Sequence, residues 1–384
     1  MTTQPTSPFV RFRYHTDTIR AAELLSKPPV NFPADFDVAG SAPVTSLFET
    51  PDEYARPTQT IQGLGQVSCY QLPYTQRFRD TPPRLRRSLT ANLGGIDYSL
   101  RVTEAERSTG GINDEVDSVV MLPGFTEMID TATGCSLHKA LSRHFPERRI
   151  ISIGTDGVGA HTASIGWKEG WHKDFTAMAE ARHKLISAFA GRGVVTLVGV
   201  SMGSVLSNRL LAYDLQLQSD RFMRKQTGSQ PLDIDAAVFH SHALIAPGHV
   251  PVDMFLRFLP HVPIDVGRVG LESESDNRLA SLLKLSVSLP KAAPALAGNI
   301  KNLVQGTTDQ ALYSVSGNFP TGFVSGERDP LRQEDRLRRL ETAMPEMVSV
   351  NIVKRVGHAA CFDAPTAARH IAEMYTTVTN KSNT

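Results

Sequence analysis

Three residues of this 384-residue chain have the side chains, and the order along the chain, that nucleophilic catalysis by serine requires. Ser201 lies at the centre of the motif Gly199–Gly203 (GVSMG), and Asp329 and His358 follow it. A serine hydroxyl becomes a strong nucleophile when a histidine accepts its proton and a carboxylate orients that histidine. The three residue types therefore predict a reaction in which Ser201 attacks a carbonyl group.

The residues around Ser201 predict a strand, a sharp turn and a helix. An apolar, largely β-branched run precedes the serine, and apolar residues recur at helical spacing from Leu206 to Leu217. A serine on such a turn has a strained backbone, and the crowded turn accepts only small residues two positions to either side. The motif alone would also fit a glycine-rich turn with no catalytic role. The flanking strand and helix favour the catalytic interpretation.

Asp329 and His358 also occupy the ends of predicted strands. Asp329 follows the apolar run Phe323–Gly326, and His358 lies between the last predicted strand and the last predicted helix. An aspartate before Pro330 is also a common turn former, and Glu327 is an alternative acid. The order serine, acid, histidine, with each residue at a strand end, favours catalytic roles for Asp329 and His358.

Apolar runs of strand length alternate with helical patterns from Leu89 onward. This alternation predicts a mostly parallel sheet with right-handed crossovers and helices on its faces. The predicted strands are Leu89–Leu93, Tyr98–Glu104, Ser118–Leu122, Arg149–Ile153, Ala236–Ala246 and Met347–Val353, and the predicted helices are Cys135–Phe145, Phe175–Ala190 and Thr366–Thr377. The first two strands form a predicted hairpin that turns at two glycines.

Two segments interrupt this alternation and predict additional parts of the molecule. Residues 1–85, rich in proline, alanine and serine over part of their length, predict an N-terminal extension or arm. Its candidate roles are to cover a sheet edge, to contact the site or to form a homodimer. Residues 247–315 contain no strand pattern and are too long for a structureless loop, so they predict an inserted helical lid. The core is then predicted at 86–246 and 316–384.

With these motifs the chain resembles the α/β-hydrolases from about residue 89 to residue 375. The resemblance implies the α/β-hydrolase fold, a mostly parallel central sheet flanked by helices, with the lid in the family's usual insertion place. It also implies that Ser201 is the nucleophile, that His358 is first a general base and then an acid, and that Asp329 orients the imidazole.

The same resemblance implies an oxyanion hole and a substrate pocket. Backbone N–H groups of Met202 and Phe125 would hold the oxyanion, although this chain has Pro-Gly before Phe125 where the family often has His-Gly. Thr126 would contribute a hydroxyl to the substrate site. From the residues themselves, Phe255 and Phe258 in the predicted lid are candidates to line the pocket, with a position in the core as the alternative, and the apolar residues of the lid favour an apolar acyl group.

The predicted function is hydrolysis of a small-molecule carboxylic ester or thioester, and the reaction requires no metal or organic cofactor. One alternative is acyl transfer to an acceptor other than water. Others are another triad activity, such as peptidase or carbon–carbon bond hydrolysis, and a non-catalytic hydrolase-fold binding protein. The presence of all three triad residues argues against a binding protein.

Composition and charge limit which binding partners and which cellular compartment we expect. With 40 Lys and Arg against 39 Asp and Glu the net charge is +1, so no nucleic-acid partner is expected. The three cysteines are far apart, no signal peptide is visible, and no apolar run is long enough to span a bilayer. We therefore predict a cytoplasmic protein without stable membrane insertion.

His240 and His242 alternate on a predicted strand and would share a face, but no metal site is expected because no carboxylate cluster adjoins them.

Overall fold

The computed structural model describes residues 58–61, 65–70, 86–93, 96–106, 115–124, 129, 136–156, 158, 162, 165–172, 174–190, 193–223, 229–247, 293–295, 297–303, 305–358 and 363–382. These residues form a single ten-stranded sheet with helices on both faces. The prediction of a mostly parallel sheet flanked by helices is confirmed.

The strands follow the apolar, β-branched runs of the sequence. They are β1 (Thr58–Ile61), β2 (Gly65–Tyr70), β3 (Arg86–Leu93), β4 (Ile96–Thr103), β5 (Ser118–Leu122), β6 (Arg149–Ile153), β7 (Val195–Val200), β8 (Ile234–His240), β9 (Thr321–Gly326) and β10 (Val348–Val353). Their order in the sheet is β1-β2-β3-β4-β6-β5-β7-β8-β9-β10. Neighbours from β1 to β6 in that order are antiparallel, and neighbours from β6 to β10 are parallel.

The helices of the described residues are α1 (Ser136–His144), α2 (Trp167–His172), α3 (Phe175–Phe189), α4 (Met202–Phe222), α5 (Asp309–Ser316), α6 (Glu334–Ala343) and α7 (Ala364–Ser382). Further helical residues lie at 293–295 and 297–303. Asp174 and Thr308 cap α3 and α5 by accepting N–H groups of their first turns. None of these helices combines the length and the apolar character needed to cross a membrane.

Successive side chains of each central strand point to opposite faces of the sheet, so the core consists of two clusters. Val120 and Phe323 point to the face covered by α3 and α4, whereas their neighbours Val119 and Val324 point to the face covered by α1 and α7. The central strands are therefore buried on both sides, as expected for parallel strands between two layers of helices. This burial gives the strand ends a rigid base for the site.

Most predicted element bounds agree with the structure, and the differences have local causes. Ser118–Leu122 and Arg149–Ile153 are strands as predicted, and the hairpin is formed by β3 and β4. The predicted strand Ala236–Ala246 ends early, at His240, because Ser241 has a φ of 45° and cannot continue an extended strand. The sequence did not predict the helices α2, which begins at Trp167, and α6.

The two predicted additions lie only partly within the described residues. From the predicted extension, β1 and β2 continue the sheet beyond β3 through antiparallel pairing. Of the predicted lid, residues 248–292 lie outside the described part, as do residues 1–57 of the extension. The boundaries of these two units therefore stay predictions.

Two segments of the described chain, 241–247 and 305–309, lie next to each other, and we call them the two stems. The N–H of Thr307 donates to the carbonyl oxygen of Ile245 at 2.7 Å. Arg336 on α6 donates to the carbonyl oxygens of Leu244 at 2.9 Å and Thr307 at 2.5 Å, and its Nε lies 2.5 Å from Asp309. One buried guanidinium thus holds both stems.

Candidate active site

Ser201 lies at the turn between β7 and α4, in a conformation that side chains rarely adopt. Its φ is 50° and its ψ is −118°. A Cβ on Gly199 would lie 2.6 Å from the Cα of Ser204, and a Cβ on Gly203 would collide with the carbonyl oxygen of Leu122. The turn therefore requires both glycines of the motif. Backbone strain of this kind is typical of functional sites.

The side chains of Ser201, His358 and Asp329 form one hydrogen-bonded chain. Oγ of Ser201 is 2.8 Å from Nε2 of His358, and Nδ1 of His358 is 2.9 Å from Oδ2 of Asp329. The carboxylate can accept the Nδ1–H, and the Nε2 lone pair then faces the serine hydroxyl. In this arrangement the imidazole can take the hydroxyl proton while the serine oxygen attacks a carbonyl carbon.

Parallel strands bring these three distant residues together. Ser201 follows β7, Asp329 lies in the loop after β9, and His358 lies in the loop after β10. The carboxyl ends of parallel strands meet at one edge of the sheet, which is where open α/β sheets hold their ligands. The strand between them contributes as well, because the carbonyl oxygen of His240 at the end of β8 accepts the N–H of Ser201 at 3.1 Å.

Asp329 is a buried carboxylate held by two donors. Besides His358, the backbone N–H of Leu331 donates to Oδ1 at 2.8 Å. Burial alone would raise the pKa of Asp329, but the charge of His358, the hydrogen bonds from His358 and Leu331, and the charge of His242 lower it below its ordinary value. Asp329 is therefore an anion at neutral pH and can orient the imidazole.

The predicted alternative acid does not take part in this chain. Glu327 is exposed, and its carboxylate accepts the backbone N–H of Arg355 at 2.8 Å. The carboxylate bonded to His358 belongs to Asp329.

The backbone around Ser201 offers one described candidate for an oxyanion donor. Met202 begins α4, so its N–H belongs to the helix N-terminus, where N–H groups lack partners within the helix and the helix dipole favours an anion. A Cβ on Gly124 would lie 3.4 Å from the Cβ of Ser201 and 3.9 Å from its Oγ, so the chain after β5 passes beside the serine. The predicted site residues Phe125, Thr126, Phe255 and Phe258 lie outside the described residues.

His240 and His242 do not converge as the sequence suggested. The ring of His240 stacks on His370 of α7 at 5.8 Å, whereas the ring of His242 contacts Phe323 on the opposite face of the sheet at 5.7 Å. The strand ends between them at Ser241, so the alternation that would place both rings on one face is broken. Burial lowers the pKa of His240 to about 3 and that of His242 to about 4, so both rings are neutral at neutral pH. In the described part of the chain, no group of three or more His, Cys, Asp or Glu side chains could hold a metal ion.

Sequence reasoning missed two residues that contact the Ser201 backbone. Ser204 donates its N–H and its hydroxyl to the carbonyl oxygen of Ser201, and the N–H of Ala243 donates to the same oxygen. The only signal in the sequence for Ser204 is its position three residues after Ser201, which places it one helical turn away. Ala243 lies in the irregular segment after β8, and no sequence pattern marks it.

Comparison with solved structures identifies the fold. The chain is similar to MGS-M2, an α/β-hydrolase enzyme from a Medee basin deep-sea metagenome library, with a TM-score of 0.50 and 14% identity over 77% of this chain and 97% of the other. It is also similar to a carboxylesterase structure from the ammonia-oxidizing thaumarchaeon Nitrososphaera gargenis, with a TM-score of 0.50 and 13% identity over 75% and 96% of the two chains. No protein-family sequence model and no curated protein matches the chain by sequence. The chain therefore has the α/β-hydrolase fold, as its motifs predicted.

Proposed function

We propose that this chain is a serine hydrolase that cleaves a carboxylic ester or thioester through an acyl-enzyme on Ser201. The observation that carries the proposal is the hydrogen-bonded chain of 2.8 and 2.9 Å from Ser201 through His358 to Asp329. The Nitrososphaera structure with this fold is described as a carboxylesterase. We extend that class of reaction to this chain on the strength of the site geometry.

Acylation begins when Oγ of Ser201 attacks the carbonyl carbon of the substrate. A bond forms between Oγ and this carbon, the carbonyl π electrons move onto the oxygen, and Nε2 of His358 takes the hydroxyl proton. Asp329 stabilises the imidazolium that results. The N–H of Met202, with that of Phe125 as the second expected donor, stabilises the oxyanion.

The tetrahedral intermediate then collapses and releases the leaving group. The bond from the carbonyl carbon to the leaving oxygen or sulfur breaks, and His358 returns the proton to the alcohol or thiol. A water molecule next attacks the acyl-enzyme while His358 takes one of its protons. The second collapse breaks the bond to Oγ, returns the proton to Ser201 and frees the carboxylic acid, so the cycle consumes only substrate and water.

The experiment that tests this proposal is intact-mass analysis after exposure to an alkyl fluorophosphonate. We expect one adduct on the wild-type protein and none on the folded Ser201→Ala variant, since an activated serine displaces fluoride from phosphorus. A panel of p-nitrophenyl esters and acyl thioesters of increasing chain length would then identify the acyl group. A folded wild-type protein that takes up no adduct and hydrolyses no member of the panel would overturn the proposal.

A further inference from the structure

The carbonyl oxygen of Ser201 is held by three donors. The N–H of Ser204 lies at 3.0 Å from it, the hydroxyl of Ser204 at 2.5 Å and the N–H of Ala243 at 3.2 Å. The Ser204 oxygen also accepts the Ala243 N–H at 3.0 Å. Ser204 is 0% exposed and Ala243 is 4% exposed, so solvent cannot replace these bonds. The Ser204 hydroxyl thus connects the nucleophile turn to the segment after β8.

This carbonyl belongs to the same peptide unit as the N–H of Met202. A trans peptide is planar, and its C=O and N–H point in opposite directions. Donors that fix the direction of the Ser201 carbonyl therefore also fix the direction of the Met202 N–H. That N–H is the proposed oxyanion donor, and an oxyanion hole is effective only when its donors point at the position where the charge develops.

We propose that Ser204 is a positioning residue whose hydroxyl fixes the orientation of the Met202 N–H toward the oxyanion. This inference rests on the proposed function, because it assumes that Ser201 forms a tetrahedral intermediate. The contact with the oxyanion exists in the transition state and is much weaker in the ground state. Loss of the Ser204 hydroxyl therefore lowers kcat and leaves KM nearly unchanged.

Ser207 provides a matched control in the same helix. It lies one turn after Ser204, is also 0% exposed, and its Oγ has no hydrogen-bond partner among the described residues. A substitution Ser207→Ala removes a buried hydroxyl of the same kind without touching the Ser201 carbonyl. It therefore reports the effect of a smaller side chain in this helix alone.

The test compares wild type, Ser204→Ala, Ser204→Cys and Ser207→Ala in hydrolysis of a p-nitrophenyl ester and in the rate of labelling by an alkyl fluorophosphonate. For Ser204→Ala we expect kcat and the labelling rate to fall about tenfold, with KM within about twofold of wild type. Ser204→Cys keeps an atom at the γ position, and its thiol is a weak donor. We therefore expect kcat and the labelling rate to fall less than in Ser204→Ala. Ser207→Ala should retain the wild-type rates. Thermal unfolding of each variant identifies any that is not folded at the assay temperature.

The outcomes separate the two proposals. If wild type takes up no adduct and has no esterase activity, the proposed function fails and the inference fails with it. If wild type reacts and both folded Ser204 variants react at the wild-type rate, only the positioning role is overturned. The positioning role would also be overturned if kcat and the labelling rate fell equally in Ser207→Ala. A rise in KM that accounts for the lower activity of Ser204→Ala would overturn it as well.

Discussion

The two ends of the parallel strands both carry buried polar side chains, but these side chains are bonded in different ways. At the amino ends, Arg148 donates to the hydroxyls of Thr196 at 2.6 Å and Tyr375 at 2.5 Å and to Asp235 at 3.2 Å. Both hydroxyls donate in turn to Asp235, at 2.7 and 3.0 Å. This closed network connects the starts of β6, β7 and β8 to α7.

At the carboxyl ends, polar groups near Ser201 lack such partners. Nε2 of His240, both ring nitrogens of His242 and Oγ of Ser325 are buried without a hydrogen-bond partner among the described residues. Ser201 and Ser241 have φ values of 50° and 45°. Buried groups without partners and strained backbone lower stability, and they are typical of functional sites. The amino ends thus stabilise the sheet, and the carboxyl ends hold the proposed catalytic groups.

The largest effect should follow from a change at the carboxyl end that leaves the fold intact. Asp329→Asn keeps the acceptor for the Leu331 N–H but no longer fixes the His358 tautomer. We expect kcat/KM for a p-nitrophenyl ester to fall by about 10⁴-fold with little change in the melting temperature. Glu327→Gln is the matched control and should retain activity. A loss below about tenfold for Asp329→Asn would show that another group orients His358.

A change at the amino ends of the strands should lower stability and leave activity nearly unchanged. Arg148→Met removes the cation and leaves Asp235 without its paired charge, so we expect the free energy of unfolding to fall by about 3 kcal/mol. Activity of the folded fraction should stay within about twofold, since the network lies at the other end of the strands. Urea denaturation measures the stability, and Arg369→Met, at an exposed pair with Glu373, should change it by less than about 0.5 kcal/mol. A loss of activity without loss of stability in Arg148→Met would contradict the comparison.

The two buried histidines at the carboxyl ends of the strands should make stability depend on pH. The folded protein holds His240 and His242 at pKa values of about 3 and about 4, whereas unfolded histidine has its ordinary pKa of 6.5. Between these values the unfolded chain binds more protons, so stability falls as the pH falls below about 6.5. Burial is the main cause of both low pKa values; interactions with His370, His358 and His242 lower the pKa of His240 further, those with His358 and Arg336 lower the pKa of His242, and Asp329 raises both.

Each histidine should contribute a slope of at most about 1.4 kcal/mol per pH unit. Urea denaturation between pH 7 and pH 5 should therefore show a weaker pH dependence for His240→Gln and His242→Gln than for wild type. His172→Gln, at an exposed position, is the control for a histidine substitution on the surface. Variants that keep the full wild-type slope would mean that neither ring is held neutral in the fold.

The smallest effect should come from the strained backbone of Ser201 itself. Glycine adopts positive φ more readily than other residues, so Ser201→Gly should unfold with a free energy about 1 kcal/mol higher than Ser201→Ala, although neither variant is active. At Ser207, within a regular helix, the order should reverse, with alanine about 1 kcal/mol more stable than glycine. Equal stabilities of the two Ser201 variants would show that the turn carries no strain.

The sequence predicted what depends on local pattern and failed where distant contacts decide. Apolar β-branched runs located the central strands, and the G-x-S-x-G motif with its strand and helix located the turn at Ser201. The end of β8 was misplaced because Ser241 adopts a left-handed conformation that no motif marks. The network of Arg148 and the contacts of Ser204 with Ala243 join residues far apart in sequence, so only the folded structure brings them together.

The paired stems at 241–247 and 305–309 have a consequence for how the molecule can vary. Thr307 is bonded to Ile245, and Arg336 contacts both stems, so the core itself fixes the distance between the two chain ends. Each doubling of the length of chain between two fixed ends costs only about 0.6 kcal/mol in closure entropy. Adding residues between positions 247 and 293 therefore costs little closure entropy, whereas residues 297–303 are constrained by the core, since Gly298 lies against the backbone of Gly170 and Lys301 donates to the carbonyl oxygen of Trp171.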